Sequence, residues 1–320
     1  MMNKAWSFAI ILAALATASI LLLETQLRLV ELLPDQGAAW YYWKRPDPNF
    51  ASQFSAWASY LAHQLFIWGV IVWAQKNRNK LQDRKSMHPV NWIALGGTAT
   101  FAILHFAQTA IWYDGLAQNV SVFSSQASVI LLLVVVLIIE APRRGLFFGS
   151  GGKPFIGIRP FLIRYHDYYF SWAVVYTYWF HPMETTWGHL FGFFYTFLLM
   201  IQASFVFTRV HTNRWWTLCL EVLVLFHGVV VALIAGQEFW PMFLFGFLMM
   251  FIVTQMHGLG LSRMVRWLIG ALFIAGLFFV YSERGWQQLN EVLRIPMIDY
   301  LLVFILAGLV GLIYRRVRKN

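Results

Sequence analysis

The chain has 320 residues, 59% hydrophobic and only 12% charged, with a formal net charge of +10 and a single cysteine. A soluble domain is about 45–50% apolar and about 25% charged, so a water-covered fold is excluded and lipid is the expected solvent. The positive charge then reflects Lys and Arg gathered in cytoplasmic loops rather than binding to nucleic acid, and the lone Cys219 excludes an intramolecular disulfide.

Crossing the hydrocarbon layer takes about 20 mostly apolar residues as a helix. Ten segments qualify, at 5–27, 53–75, 91–113, 121–141, 165–181, 184–208, 214–236, 239–257, 263–281 and 297–314. The first resembles a signal peptide in its charge and its Ala-rich end, but its apolar run continues beyond Ala16 and is expected to stay as an uncleaved span. Between the first two spans, Trp40, Tyr41 and Tyr42 suit the headgroup layer of an outer loop. The inner loop at 142–164 contains GSGGK, yet no strand precedes it and no Ser or Thr follows Lys153, so a phosphate-binding loop is not expected. Pro142 is expected to break the fourth helix near Glu140 and Arg144, and residues 282–296 suit a short helix lying on the outer surface.

With the N-terminus inside, 19 of the 24 Lys and Arg residues fall on the cytoplasmic side, which satisfies the positive-inside rule. The expected architecture is all-α: a polytopic transmembrane bundle of about ten spans, forming one integral membrane domain over residues 1–320, with both termini cytoplasmic. A multi-pass protein of the cell (inner) membrane follows from that reading.

Polar groups inside such spans are costly and mark function by default. The aromatic stretch from Tyr165 to Gly228 holds five of the nine histidines. Depth read from the orientation places His63, His105, His181, Glu184, His189 and His227 in the outer half or at the midplane. Imidazole and carboxylate together suit Fe, Zn or Mn, so His181, Glu184, His189 and His227 are the expected metal ligands. Deep histidines on separate helices equally suit haem with two axial imidazoles, drawn from His63, His105 and His227. Each of these residues also has a plain role open to it, as a helix-start acid or an interhelical hydrogen-bond partner.

Glu221 lies about two turns into its span with no cation nearby in sequence, so it requires a proton or a partner on another helix. It is the expected catalytic proton carrier. His166, His211 and His257 fall near the inner surface, where they offer a second site with Glu221, while Asp167, three residues after Arg164, is expected to pair with it. Glu24 with Arg28, and Glu140 with Arg144, have the spacing of helix ion pairs. No GxSxG, HExxH or CxxC motif occurs.

The function expected from this pattern is a membrane-bound metal- or haem-dependent oxidoreductase acting on a lipid-soluble molecule such as a quinone. A proton- or cation-coupled transporter and a non-catalytic scaffold or assembly factor are the alternatives. Missing internal repeats and paired helix breaks weigh against the transporter.

Overall fold

The structure, a computed structural model, describes every residue except Met1, Asp35, residues 37–42, Gly152, Ala235, Gln237 and Asn320. The headgroup-layer placement expected for Trp40, Tyr41 and Tyr42 therefore lies outside the described residues. Among those described, all regular structure is helical apart from one isolated bridge between Phe147 and Ser150.

Ten long helices follow one another. They are α1 (Met2–Ile20, prolonged by short turns to Leu27), α2 (Phe50–Lys76), α3 (Pro89–Trp112), α4 (Val122–Arg144) and α5 (Arg159–Phe180). After these come α6 (Trp187–Ser204), α7 (Arg214–Ile234), α8 (Trp240–Val253), α9 (Arg263–Arg284) and α10 (Glu291–Lys319). Every apolar segment read from the sequence is a helix. Seven of them are long and apolar enough to cross a membrane, namely α1, α3, α4, α7, α8, α9 and α10 with their short extensions. The other three, α2, α5 and α6, carry the aromatic and polar residues that dilute their hydropathy.

Local chemistry sets the helix ends. Asn49 caps α2 by accepting from the Ser52 amide at 2.8 Å, and Thr186 and Ser262 cap α6 and α9 in the same way. At the start of α3 the His88 amide donates to Asn91 Oδ1 at 2.7 Å, and Pro89 occupies a first-turn position where its missing N–H costs nothing. Asn91 is fully buried, and its amide nitrogen donates to the carbonyls of Ser204 and Val206, both at 2.8 Å. This ties the start of α3 to the end of α6.

Three boundaries differ from the sequence reading. Helix α4 continues through Pro142 to Arg144, because a proline in the last turn removes only one backbone bond. Helix α5 begins at Arg159, with Pro160 in its first turn, so His166 and Asp167 lie about two turns inside it rather than at its end. Residues Trp286–Asn290 form a 3-10 turn leading directly into α10, not a separate surface helix. Glu291 anchors that turn by accepting from Tyr281 at 2.8 Å and Arg284 at 2.9 Å.

The chain divides into two compact units. The first comprises residues 1–129 and 167–216, in which α2 packs on α3, and α6 packs on both α1 and α3. Its fully buried centre includes Trp179, Tyr178, Phe180 and Trp216. The second comprises residues 130–166 and 217–320, in which α8 packs on α9 and α10. Its centre gathers Val134, Ile138 and Ala141 of α4 around Met250 and Val303. Helix α9 turns Met264, Leu272 and Phe279 outward, and almost none of it is buried, as expected of side chains facing lipid.

The Gly-rich loop after α4 is a tight turn. Gly145 has φ +73°, and a Cβ there would stand 2.2 Å from the Gly149 carbonyl carbon, so no side chain fits. The Phe148 amide donates to the Val253 carbonyl at 2.7 Å, pinning the turn to the end of α8.

Candidate functional site

Five of the six residues expected in the outer half of the bundle belong to the first unit. His63 on α2 is 2% exposed and accepts a hydrogen bond from the Trp179 indole N–H at 3.2 Å. Its ring stacks on Phe101 of α3 at 4.1 Å. The same indole stacks on His105 of α3 at 4.4 Å, so Trp179 bridges the two imidazoles. Tyr178 meets the His105 ring edge-on at 4.7 Å and Phe193 at 5.7 Å.

His105 is fully buried, and among the described residues neither ring nitrogen has a well-formed hydrogen bond, although the His181 backbone lies close enough to interact. Among the same residues both amide atoms of buried Gln64 and the amide oxygen of Gln108 are also without a partner. Buried polar atoms nearly always find partners. A group of them left open in one unit marks a place with unused hydrogen-bonding capacity.

The turn between α5 and α6 carries His181 and Glu184, and the first turn of α6 carries His189. The His181 and His189 rings meet edge-on at 5.3 Å, His189 Nδ1 pairs with Thr186 Oγ1 at 2.8 Å, and Trp43 stands against His189 at 4.3 Å. Glu184 is 7% exposed and accepts a hydrogen bond from the Tyr113 hydroxyl. Burial pushes its carboxyl above the ordinary range, and the Tyr113 and Thr185 hydrogen bonds oppose the rise.

Tyr113 reaches Glu184 because it adopts φ +45° at the end of α3, a conformation that costs a non-glycine residue energy and clusters at functional sites. Asp114 beside it is 3% exposed, accepts from Ser52 Oγ and the Gly115 amide at 2.8 Å each, and is likewise raised by burial. Sequence reasoning missed Tyr113 and Asp114. Nothing in the local pattern announces a left-handed tyrosine, whereas an aspartate before glycine at a helix end was a readable signal.

His227, the sixth residue, belongs to the second unit, where its buried Nδ1 has no partner among the described residues. Glu221 is there too, and the partner it needs is Arg144. The guanidinium donates to both carboxylate oxygens, at 2.6 and 2.5 Å, with only 3% of the Arg144 side chain exposed. Arg144 also lies 3.4 Å from Glu140, so the local pair seen in the sequence is real but secondary. Glu140 is held more closely by Arg143. Gly258 makes room for this cluster, since a Cβ there would stand 2.6 Å from Arg144 Cγ.

One group of residues could hold a metal ion. His166, Asp167 and His211 each offer one ligand atom, and these atoms lie within 4.8 Å of one another. His166 and Asp167 are consecutive residues of α5, and His211 lies in the turn before α7. Each histidine has its Nδ1 against a backbone carbonyl, of Ile163 at 2.8 Å and of Gln202 at 3.0 Å. A carbonyl only accepts, so Nδ1 carries the proton and the lone pair resides on Nε2. Fixing the tautomer this way is how proteins orient a histidine for a metal. His181, Glu184 and His189 do not form such a compact group among the described residues. The sequence placed His166 and His211 near one surface without singling them out, because their spacing of 45 positions is no ligand motif.

The chain matches no family model, no curated protein and no solved structure.

Proposed function

We propose that this chain is an integral membrane metalloprotein whose metal is held by His211 and Asp167 together with His166. The carrying observation is the close approach of three potential ligands, with both histidine tautomers set by backbone carbonyls. Two imidazoles and a carboxylate suit iron, zinc or manganese, leaving coordination positions open for water or substrate. An iron or manganese ion would supply redox chemistry on a lipid-soluble molecule such as a quinone. Ten spans with both termini cytoplasmic remain our reading of the topology, supported by the placement of 19 of the 24 basic residues. We take the two units as parts of one membrane domain, because the chain passes between them inside three helices, α4, α5 and α7.

Metal analysis of the purified protein, reconstituted with each of the three ions, tests the proposal. About one ion per chain is expected. His211→Ala and Asp167→Asn are each expected to remove most of it. Stoichiometric metal retained in both variants, or none bound by the unaltered protein, would overturn the assignment.

A second reading is favoured by the unsatisfied atoms of His105 and Gln64 and by buried Glu184. Here His63, His105, His181, Glu184 and His189 form an acid–base site in the outer half of the membrane, offering hydrogen bonds to the carbonyls of a lipid-soluble substrate. Glu184 is the acid. Because its folded-state pKa is raised, the protonated carboxyl contributes stability below the ordinary carboxylate range. That stability is lost as pH rises through the raised value. Glu184→Gln carries no charge at any pH and escapes this loss, while Tyr113, Asp114, His181 and His189 remain in place. Melting temperatures measured from acidic to neutral pH should therefore shift in favour of the variant as pH rises. A difference independent of pH would mean that Glu184 binds its proton equally well folded and unfolded, and the reading would fail.

A further inference from the structure

The second unit contains a small cavity lined by Glu221 of α7, Asp299 of α10 and Gln255 just beyond α8, with apolar walls that include Leu137, Val224 and Met250. It has room for a water molecule or two. Asp299 is 3% exposed, and among the described residues no hydrogen bond or ion pair reaches its carboxyl. It is the only acidic residue between Glu291 and the C-terminus, set in a helix otherwise built for hydrocarbon.

The two acids of this cavity are differently placed. Glu221 is neutralised by two guanidinium hydrogen bonds from Arg144, which is braced in turn by Glu140. Among the described residues no cation is paired with Asp299. The charged residues of α4 are Glu140, Arg143 and Arg144, which pair with one another and, through Arg144, with Glu221; from α7 there is Glu221 itself. The turn after α8 contributes Gln255 and then His257, whose ring contacts the Ile252 carbonyl and Arg266. On α10 itself, the neighbouring Tyr300 hydroxyl is paired with Thr254 at 2.6 Å. A solitary carboxylate in this setting would be an uncompensated buried charge, and the cation small enough to reach it through one or two waters is a proton.

We propose that Asp299 is a proton-binding site of the second unit. Its carboxylate takes one proton delivered from bulk as hydronium through water in the cavity, leaving the neutral acid and neutral water. On release it gives the proton back to that water as hydronium, which passes it out to bulk. Both carboxylate oxygens of Glu221 are occupied by the Arg144 guanidinium. Gln255 offers an amide that can hydrogen-bond the transferring water. This assigns the exchangeable proton to Asp299 rather than Glu221, and it does not depend on the metal site.

Infrared spectroscopy of the full chain in detergent tests the assignment, because a protonated carboxyl has a carbonyl stretch distinct from that of a carboxylate. The unaltered protein should show a protonated-acid band at neutral pH that fades on alkalinisation. Asp299→Asn should lose one carboxyl's share of that band, whereas Asp299→Glu should keep a titrating band at a shifted position. Glu184→Gln, recorded in parallel, separates any contribution from the first unit. A band unchanged in Asp299→Asn, or no titrating band in either the unaltered protein or Asp299→Glu, would overturn the proposal.

Discussion

Replacing Arg144 by Leu is expected to destabilise the protein by about 3–5 kcal/mol, the range for removing one partner of a buried ion pair. The size follows from what is left behind. Only 3% of the Arg144 side chain and 9% of the Glu221 side chain are exposed, and both Glu221 oxygens depend on the guanidinium at 2.6 and 2.5 Å. Without it, the carboxylate is an uncompensated charge facing apolar neighbours. Arg144→Lys should recover only part of the loss, because a single ammonium cannot reproduce the two-point contact. The decisive comparison is the double variant Arg144→Leu with Glu221→Leu, since replacing a whole buried pair by apolar groups is often neutral or stabilising. Thermal unfolding in detergent should rank Arg144→Leu well below the double variant. If the two melt together, the pair is a passive neighbour and Glu221 has another source of stabilisation.

This pair also shows where sequence reasoning reached its limit. The need of Glu221 for a partner was legible, because a charge two turns inside an apolar helix cannot stand alone. Its identity was not, because Arg144 lies 77 positions away and already had an apparent partner in Glu140. The ten helices were legible for a stronger reason: a bilayer demands long apolar runs, and such runs have few alternatives. Their ends were less so. Helix α5 starts at Arg159 and α10 at Glu291, since both begin with polar turns that an apolar pattern does not register. Depth alone gathered His63, His105, His181, Glu184 and His189, and all five fall in one unit. The same reasoning applied to acids would have found Asp299, which a focus on histidines passed over.

Trp179→Ala should cost about 3 kcal/mol, the lower end of the range for truncating a buried aromatic residue, because lipid offers the unfolded segment an apolar surrounding and leaves mainly the lost packing. Trp179 is fully buried, and one face of its indole supports His105 while its N–H supports His63. Trp179→Phe separates those duties. It keeps an aromatic ring for His105 and removes the hydrogen bond that His63 accepts from the indole, which should cost about 1–3 kcal/mol for a buried acceptor left unmade. Thermal unfolding of the three proteins gives the ranking, and the response to His63→Phe in the Trp179→Phe background gives the coupling. If the imidazole and indole act as a pair, His63→Phe should be milder there than in the unaltered protein, since the acceptor it removes has already lost its donor. Equal costs in both backgrounds would mean that Trp179 fills space beside His63 without holding it, and the bridge between the two buried histidines would be packing alone.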